Sequence, residues 1–407
     1  MRLRKQGPVR MLVVSHGGDM AGAQRTLLTL LTAIDRRRFE PYLVVPNAGA
    51  LSSAAEKLGI PVFVRHLVHW LPGAHTVPRR RRFRHLVKSG GTLRARSWAI
   101  AHLILRNEID LVYTNTATCV EGAIAARMTG RPHVWHIHEP VLNNSELRPV
   151  LPFSVYSWSI GMLSDSVIFC SDVLAKCYPA LTRKAVVVHN GLPFSALPDR
   201  ARARRLVEQH LGIGPNRKIV AVIGVLQPRK DHLTFLAAAQ QVLKSVGEVT
   251  FLIVGSGTDM YTEVIRNEIN SLGLASSVNL TGWWPEEQFG DLLAAIDVLV
   301  ISSEQESFGL TAIEALAMET PVVATRCGGP EEVIEHGRTG LLVPVRDPVA
   351  MSEAIVRLLQ DPELARALGV AGNQDVRARF SVDRYVSGIE EVLRRATAST
   401  EDALVST

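Results

Sequence analysis

Two patterns alternate along the chain. Short runs of apolar, largely β-branched residues recur at 9–15, 41–45, 61–64, 110–115, 166–171 and 185–190. They return at 218–226, 249–254, 278–281, 297–302 and 321–325. Such runs, four to nine residues long and closed by polar or turn-forming residues, predict strands buried on both faces of a parallel sheet. Between them, apolar residues fall at helical spacing. Leu27, Leu28, Leu30, Leu31 and Ile34 form one such set, and Leu310, Ile313, Leu316 and Ala317 another. Strand and helix in strict alternation predict an α/β fold whose parallel sheets carry helices on both faces. At 407 residues the chain is long enough for two such domains.

One strand–loop–helix unit carries the clearest chemistry. The run 297–302 leads into Glu306-Ser-Phe-Gly-Leu-Thr-Ala-Ile-Glu314, and Thr320-Pro321 stops the helical pattern. Glu306 falls in the loop and Glu314 in the helix. Carboxylates suit polyols because they only accept hydrogen bonds, and hydroxyls must donate somewhere. Gly309 lets backbone approach a ligand, and the first N–H groups of the helix favour phosphate oxygens. Taken alone, two glutamates could equally be a solvated helix residue and an exposed loop charge.

The surrounding residues decide between these readings. The stretch resembles the E-x7-E signature of family 4 of the retaining glycosyltransferases. The likeness continues through Pro321-Val-Val-Ala-Thr325, Cys327-Gly-Gly-Pro-Glu-Glu-Val333 and Gly337-Arg-Thr-Gly-Leu-Leu-Val343. It implies the GT-B fold: two doubly wound Rossmann-like domains facing a cleft, with a C-terminal helix crossing back to the first. The expected boundaries are an acceptor domain over 1–190, a donor domain over 191–378 and the returning helix over 379–395. The polar, small residues 396–407 are expected to form a disordered tail.

The resemblance also implies roles, residue by residue. Ala21-Gly22-Ala23-Gln24 is similar to the family's N-terminal glycine loop under the donor diphosphate, so Gly22 is a donor contact. His138, at the end of the strand in Pro132-His-Val-Trp-His-Ile-His-Glu-Pro140, matches the family's histidine near the donor sugar. Lys230 matches the lysine of the family's Gly-Arg-Leu-x-x-x-Lys, whose cations neutralise the diphosphate. The arginine position is Val225, a departure, and the adjacent Arg229 is the candidate replacement. Trp283 or Trp284 stacks on the base or belongs to the core. Glu306, Phe308, Gly309, Leu310 and Glu314 complete the donor set. The catalytic residues implied are His138, Lys230 and Glu306. The reaction implied is transfer of a hexosyl-type sugar from a nucleotide diphosphate, with retention, to a glycan or lipid-linked acceptor in polysaccharide or glycolipid synthesis. No cofactor is expected. The chain contains no Asp-x-Asp, so no metal is expected either.

Composition adds one feature. Hydrophobic content of 47% and charged content of 21% are ordinary for a soluble protein. The net charge of +6 is unevenly spread. Residues 1–190 hold 25 Lys+Arg against 11 Asp+Glu, a net of +14, and the remainder nets −8. This asymmetry points to an anionic partner for the first half. Residues 66–106 break the α/β rhythm and contain Arg79-Arg-Arg-Arg-Phe-Arg84, with a helix expected only after it, around Trp98 to Arg106. Such a run is either a solvated face or a site for anionic lipid headgroups, through Arg79, Arg80, Arg81, Arg82 and Arg84, with Trp70, Phe83 and Trp98 as interfacial anchors. Nucleic acid is not expected, since no helix-turn-helix, zinc or RNA-binding pattern occurs. Four scattered cysteines, a basic start too short for a signal peptide and no long apolar run place the protein in the cytoplasm, peripheral on the inner membrane face if the cluster binds lipid. Three alternatives share the pattern: a GT-B phosphorylase, a nucleotide-sugar epimerase, and a catalytically silent nucleotide-sugar binder.

Overall fold

The computed structural model describes residues 7–71, 79–141, 152–215 and 217–405, with side chains described for all of these except 79–90 and 399–405. The chain divides into two compact units. The breaks fall between Pro193 and Phe194 and again between Ser381 and Val382, three residues beyond each expected boundary.

The first unit holds seven strands: β1 (Val9–Val14), β2 (Phe39–Val45), β3 (Val62–Val64), β4 (Leu111–Thr114), β5 (His133–Ile137), β6 (Ser166–Phe169) and β7 (Ala185–Val187). They pair in the order β3-β2-β1-β4-β5-β6-β7, all parallel. The second unit holds β8 (Lys218–Ile223), β9 (Val249–Val254), β10 (Val278–Gly282), β11 (Val298–Ile301), β12 (Val322–Thr325) and β13 (Leu341–Val343). Their order is β10-β9-β8-β11-β12-β13, again all parallel. The expected α/β architecture is therefore present twice. Central strands such as β1, β8 and β9 are apolar except for Arg10, Lys218 and Thr250 in their first two positions, because helices cover both faces, and Met11, Val13, Val220 and Phe251 are fully buried. In each sheet the strand order reverses once, between β1 and β4 and between β8 and β11. Ligands of open α/β sheets bind beyond the C-terminal strand ends at such a point.

Three expectations need correction. Residues 396–407 were read as disordered, but one helix runs from Val382 to Val405. Alanine and glutamate favour helix, no glycine or proline interrupts the segment, and Ala396 is buried. This helix belongs to the first unit, as the resemblance implied. Tyr385, Ile389 and Leu393 form its buried stripe against Leu27, Leu30 and Leu31, and Glu390 accepts from Arg38 at 2.7 Å and from the Asp35 amide at 2.9 Å.

The second correction concerns residues 79–106, which form a single 28-residue helix through Gly90 and Gly91. The Arg79–Arg84 run is its first part; those side chains lie outside the described residues. Third, Trp70 is not an interfacial anchor. It stacks on Trp135 at 6.1 Å and packs tilted against Tyr156 at 4.8 Å, and its Nε1 donates to the Ala117 carbonyl. Trp98 does stand exposed.

Candidate active site

In the second unit the chain after β8 turns through a short 3-10 helix (Pro228–Lys230) into the helix His232–Val246. The chain after β11 makes the loop 302–309. Two hydrogen bonds to backbone carbonyls zip the two together. Ser302 Oγ donates to the Lys230 carbonyl at 2.8 Å, and the Glu304 amide to the Arg229 carbonyl at 2.8 Å. This register aims both cations at one carboxylate. Lys230 Nζ and Ser303 Oγ both bond Glu306 Oε1, and Arg229 Nη1 lies 3.7 Å from Oε2. Burial pushes the Glu306 carboxyl up, but Lys230 and Arg229, with the hydrogen bonds from Lys230 and Ser303, outweigh it and hold the group below its ordinary value. Arg229 thus points to the same place as Lys230, and two cations serve the position although residue 225 is valine.

Beyond Glu306, Gly309 caps the helix Leu310–Ala317 with φ +102°, a conformation that glycine adopts without strain. Glu314 lies in this helix, 9% exposed, and Leu310 begins it. The Phe308 ring is buried edge-on against Phe380, 5.3 Å between centroids, which leaves its backbone as the part open to contact. At the ends of β8 and β9 the backbones nearly touch: a Cβ on Gly255 would meet the Gly224 carbonyl oxygen at 2.0 Å. Trp283, just past β10, is 67% exposed. Trp284 turns away, its ring 4.7 Å from His210 and its Nε1 donating to the Gln288 carbonyl at 3.3 Å. The more exposed indole of the pair is therefore Trp283.

In the first unit the C-terminal ends of β1, β4 and β5 gather the polar groups. Asn115 Nδ2 donates to the Ala23 carbonyl at 3.1 Å, which orients its Oδ1 toward His138 Nε2 at 2.9 Å. His138 therefore carries its proton on Nε2 and leaves Nδ1 as an acceptor. Burial holds it neutral, down to about 4, with His16 adding to the effect and Glu139 opposing it. His136, on the same face, is fully buried and bonded to the Tyr113 hydroxyl, a core partner rather than a ligand contact. Gly22 opens the helix Gly22–Ala33 at the surface, next to Ala23, whose carbonyl accepts from Asn115.

Reading along the chain missed His16, His69 and Glu139. His16 Nδ1 lies 4.0 Å from Glu139 Oε1, and the His16 and His69 rings meet edge-on at 5.8 Å. The available signal was position: His16 follows β1, at the point where the sheet order reverses, and Glu139 follows β5, one strand beyond β4.

Two Rossmann-like units, each with a polar site at its reversal point, define a GT-B protein. Among solved structures, HepE from Anabaena in complex with UDP and glucose superposes with a TM-score of 0.78 at 23% identity, covering 95% of this chain and all of that one. Sucrose-phosphate synthase from Thermosynechococcus elongatus gives 0.75 at 21% identity over 96% of this chain and all of that one. The model described as Glycosyltransferase Family 4 matches residues 20–195, and that described as Glycosyl transferases group 1 matches 217–361. Alpha-maltose-1-phosphate synthase of Mycolicibacterium smegmatis is 30% identical over 311 residues, covering 69% of this chain and 77% of that protein. D-inositol 3-phosphate glycosyltransferase of Segniliparus rotundus is 34% identical over 227 residues, which cover 55% of this chain and 49% of that protein. The chain thus spans about half the length of the inositol-phosphate enzymes it matches. The protein belongs to glycosyltransferase family 4.

Proposed function

We propose that this protein is a retaining glycosyltransferase that moves a sugar from a nucleotide diphosphate to a hydroxyl of a glycan or lipid-linked acceptor. The observation that carries this is the convergence of Lys230 and Arg229 on Glu306 at the reversal point of the second sheet. Cleaving the bond from the anomeric carbon to the diphosphate leaves charge on the diphosphate, and two preorganised cations stabilise it as it develops. The acceptor oxygen bonds to the same face of the oxocarbenium-like carbon, and its proton passes to the departing diphosphate. Side-chain cations supply the charge, so the reaction needs no metal. Glu306 orients sugar hydroxyls, Glu314 accepts from the ribose diol, and Trp283 stacks on the base. His138 offers a neutral hydrogen-bonding group to a sugar. A silent binding protein would need only part of this set, and the second cation weakens the case that Val225 makes for it.

The acceptor side fits a peripheral enzyme. The first half nets +14. Trp98 and Leu105, two turns apart on the helix Arg79–Arg106, are exposed. So are Val155, Trp158 and Met162 at helical spacing on the helix Phe153–Leu163. Apolar residues beside basic ones fit an anionic bilayer surface. Among the described residues no helix is long and apolar enough to cross a membrane.

A thermal-shift screen of UDP-, GDP- and ADP-sugars, UDP-glucose first, tests the donor, because a bound donor stabilises by mass action. Product analysis with and without acceptor then separates transfer from epimerisation and phosphorolysis. No shift with any donor, or an inverted product, would refute the proposal.

A further inference from the structure

The cluster at the C-terminal edge of the first sheet has a definite hydrogen-bonding polarity. Glu139 is fixed by its own unit: Oε1 accepts from Thr116 Oγ1 at 3.0 Å, and Oε2 from the Ala117 amide at 2.9 Å. The His138 amide is 3.4 Å from Oε2. A carboxylate offers about four lone-pair sites, so acceptor capacity remains. Opposite it stands His16. Gln24 Nε2 donates to His16 Nε2 at 3.3 Å, which places the ring proton on Nδ1. That atom is buried and makes no hydrogen bond among the described residues. It sits 4.0 Å from Glu139 Oε1, too far for a direct hydrogen bond. Gln24 is 3% exposed, and its Oε1 likewise has no hydrogen-bond partner among the described residues.

A donor and an acceptor at this separation match a hydroxyl, which accepts from Nδ1–H and donates to the carboxylate. Gln24 Oε1 can accept from a second hydroxyl. A phosphate or carboxylate cannot donate to Glu139 and brings a like charge to it. Among the described residues no lysine or arginine forms an ion pair with Glu139. We propose that His16, Gln24 and Glu139 form an acceptor subsite that reads the hydroxyls of an uncharged sugar and excludes small anionic acceptors. This rests on the glycosyltransferase reading and narrows it to a substrate class.

The test compares n-octyl β-glucoside with glucose 1-phosphate as acceptors. The donor is the nucleotide sugar that gives the largest thermal shift, and nucleotide diphosphate release is followed. Wild type is expected to favour the neutral glucoside by about 100-fold in kcat/KM. Glu139→Gln should lower kcat/KM for the glucoside about 30-fold, chiefly through KM, and bring the preference below about tenfold. The donor-induced thermal shift should persist in the variant. Because Glu139 also holds the Ala117 amide, Gln24→Met provides a second variant, expected to raise the KM for the glucoside. A wild type that prefers the phosphate or uses neither acceptor would overturn the proposal, as would a folded Glu139→Gln that keeps the full preference. Absence of a thermal shift with every nucleotide sugar would remove the glycosyltransferase reading and this proposal together.

Discussion

Replacing Lys230 by alanine separates what the lysine does for the fold from what it does for the reaction. The Lys230 side chain is 17% exposed and the Glu306 side chain 12%, so both groups are largely out of water. Truncation leaves the carboxylate with Ser303 Oγ at 2.7 Å and Arg229 at 3.7 Å. Breaking a fully buried pair costs ~3–5 kcal/mol. With those two partners retained, a stability loss of about 2 kcal/mol at pH 7 is expected. The sign against pH follows from Glu306. In wild type its carboxyl is held below the ordinary value, so its stabilisation is present above the unfolded pKa and is lost as pH falls through the folded one. Without Lys230, burial becomes the stronger influence and the carboxyl rises. Protonation then relieves the variant, and its deficit should shrink as pH falls from 7 toward 4.

The catalytic consequence is different in kind. One preorganised donor to a developing anion is worth ~2.7–4 kcal/mol, so kcat should fall about 100- to 1,000-fold while the donor KM changes by less than about tenfold. Urea unfolding at pH 7 and pH 4.5 reads the first effect, and steady-state release of nucleotide diphosphate reads the second. Adding Glu306→Gln to Lys230→Ala should recover the stability, because no buried carboxylate is left uncompensated, without recovering turnover. A change confined to KM would show that Lys230 only holds the ground state. A deficit independent of pH would refute the account of Glu306.

Glu314→Ala should weaken donor binding by ~1.5–3 kcal/mol through loss of a charged acceptor for ribose hydroxyls; unchanged donor affinity by calorimetry in a folded variant would remove that assignment. Turnover should survive a chelator, and complete loss in EDTA that Mg²⁺ or Mn²⁺ restores would show that Lys230 and Arg229 do not suffice. His133 and His138 are held neutral by burial, down to about 3 and about 4, against an ordinary value of 6.5. Depressed histidines stabilise fully above pH 6.5 and lose that contribution as pH falls toward 4, so melting temperature should drop over this window and His138→Gln should flatten the drop. Wild type should pellet with anionic vesicles at low salt and not with neutral ones. Replacing Arg79, Arg80, Arg81 and Arg82 by serine should abolish pelleting without changing donor affinity; wild type that never pellets would end the membrane reading.

What could be read along the chain, and what could not, divides by how each contact is made. Glu306, Gly309 and Glu314 sit on one strand–loop–helix unit, so their spacing alone puts them around a helix start. The helix Arg79–Arg106 was harder, because Ser89-Gly90-Gly91 is a local argument for a break, and the buried residues that pack it on the helix Glu121–Thr129, Ile100, Leu103 and Ile104, lie only in its later part. Arg229 was undecidable from its neighbours. Adjacent side chains need not share a direction, and what turns this one toward Glu306 is the 3-10 turn and two bonds to a loop more than seventy residues later. The first-unit cluster lies further still from any local pattern. His16 follows β1 and Glu139 follows β5, and they face each other only because β4 inserts between those strands. Neither residue belongs to a spacing that predicts the other. The cluster of the second unit is therefore written in short motifs, while that of the first unit depends on strand order, which is why it can be argued only from the assembled sheet edge.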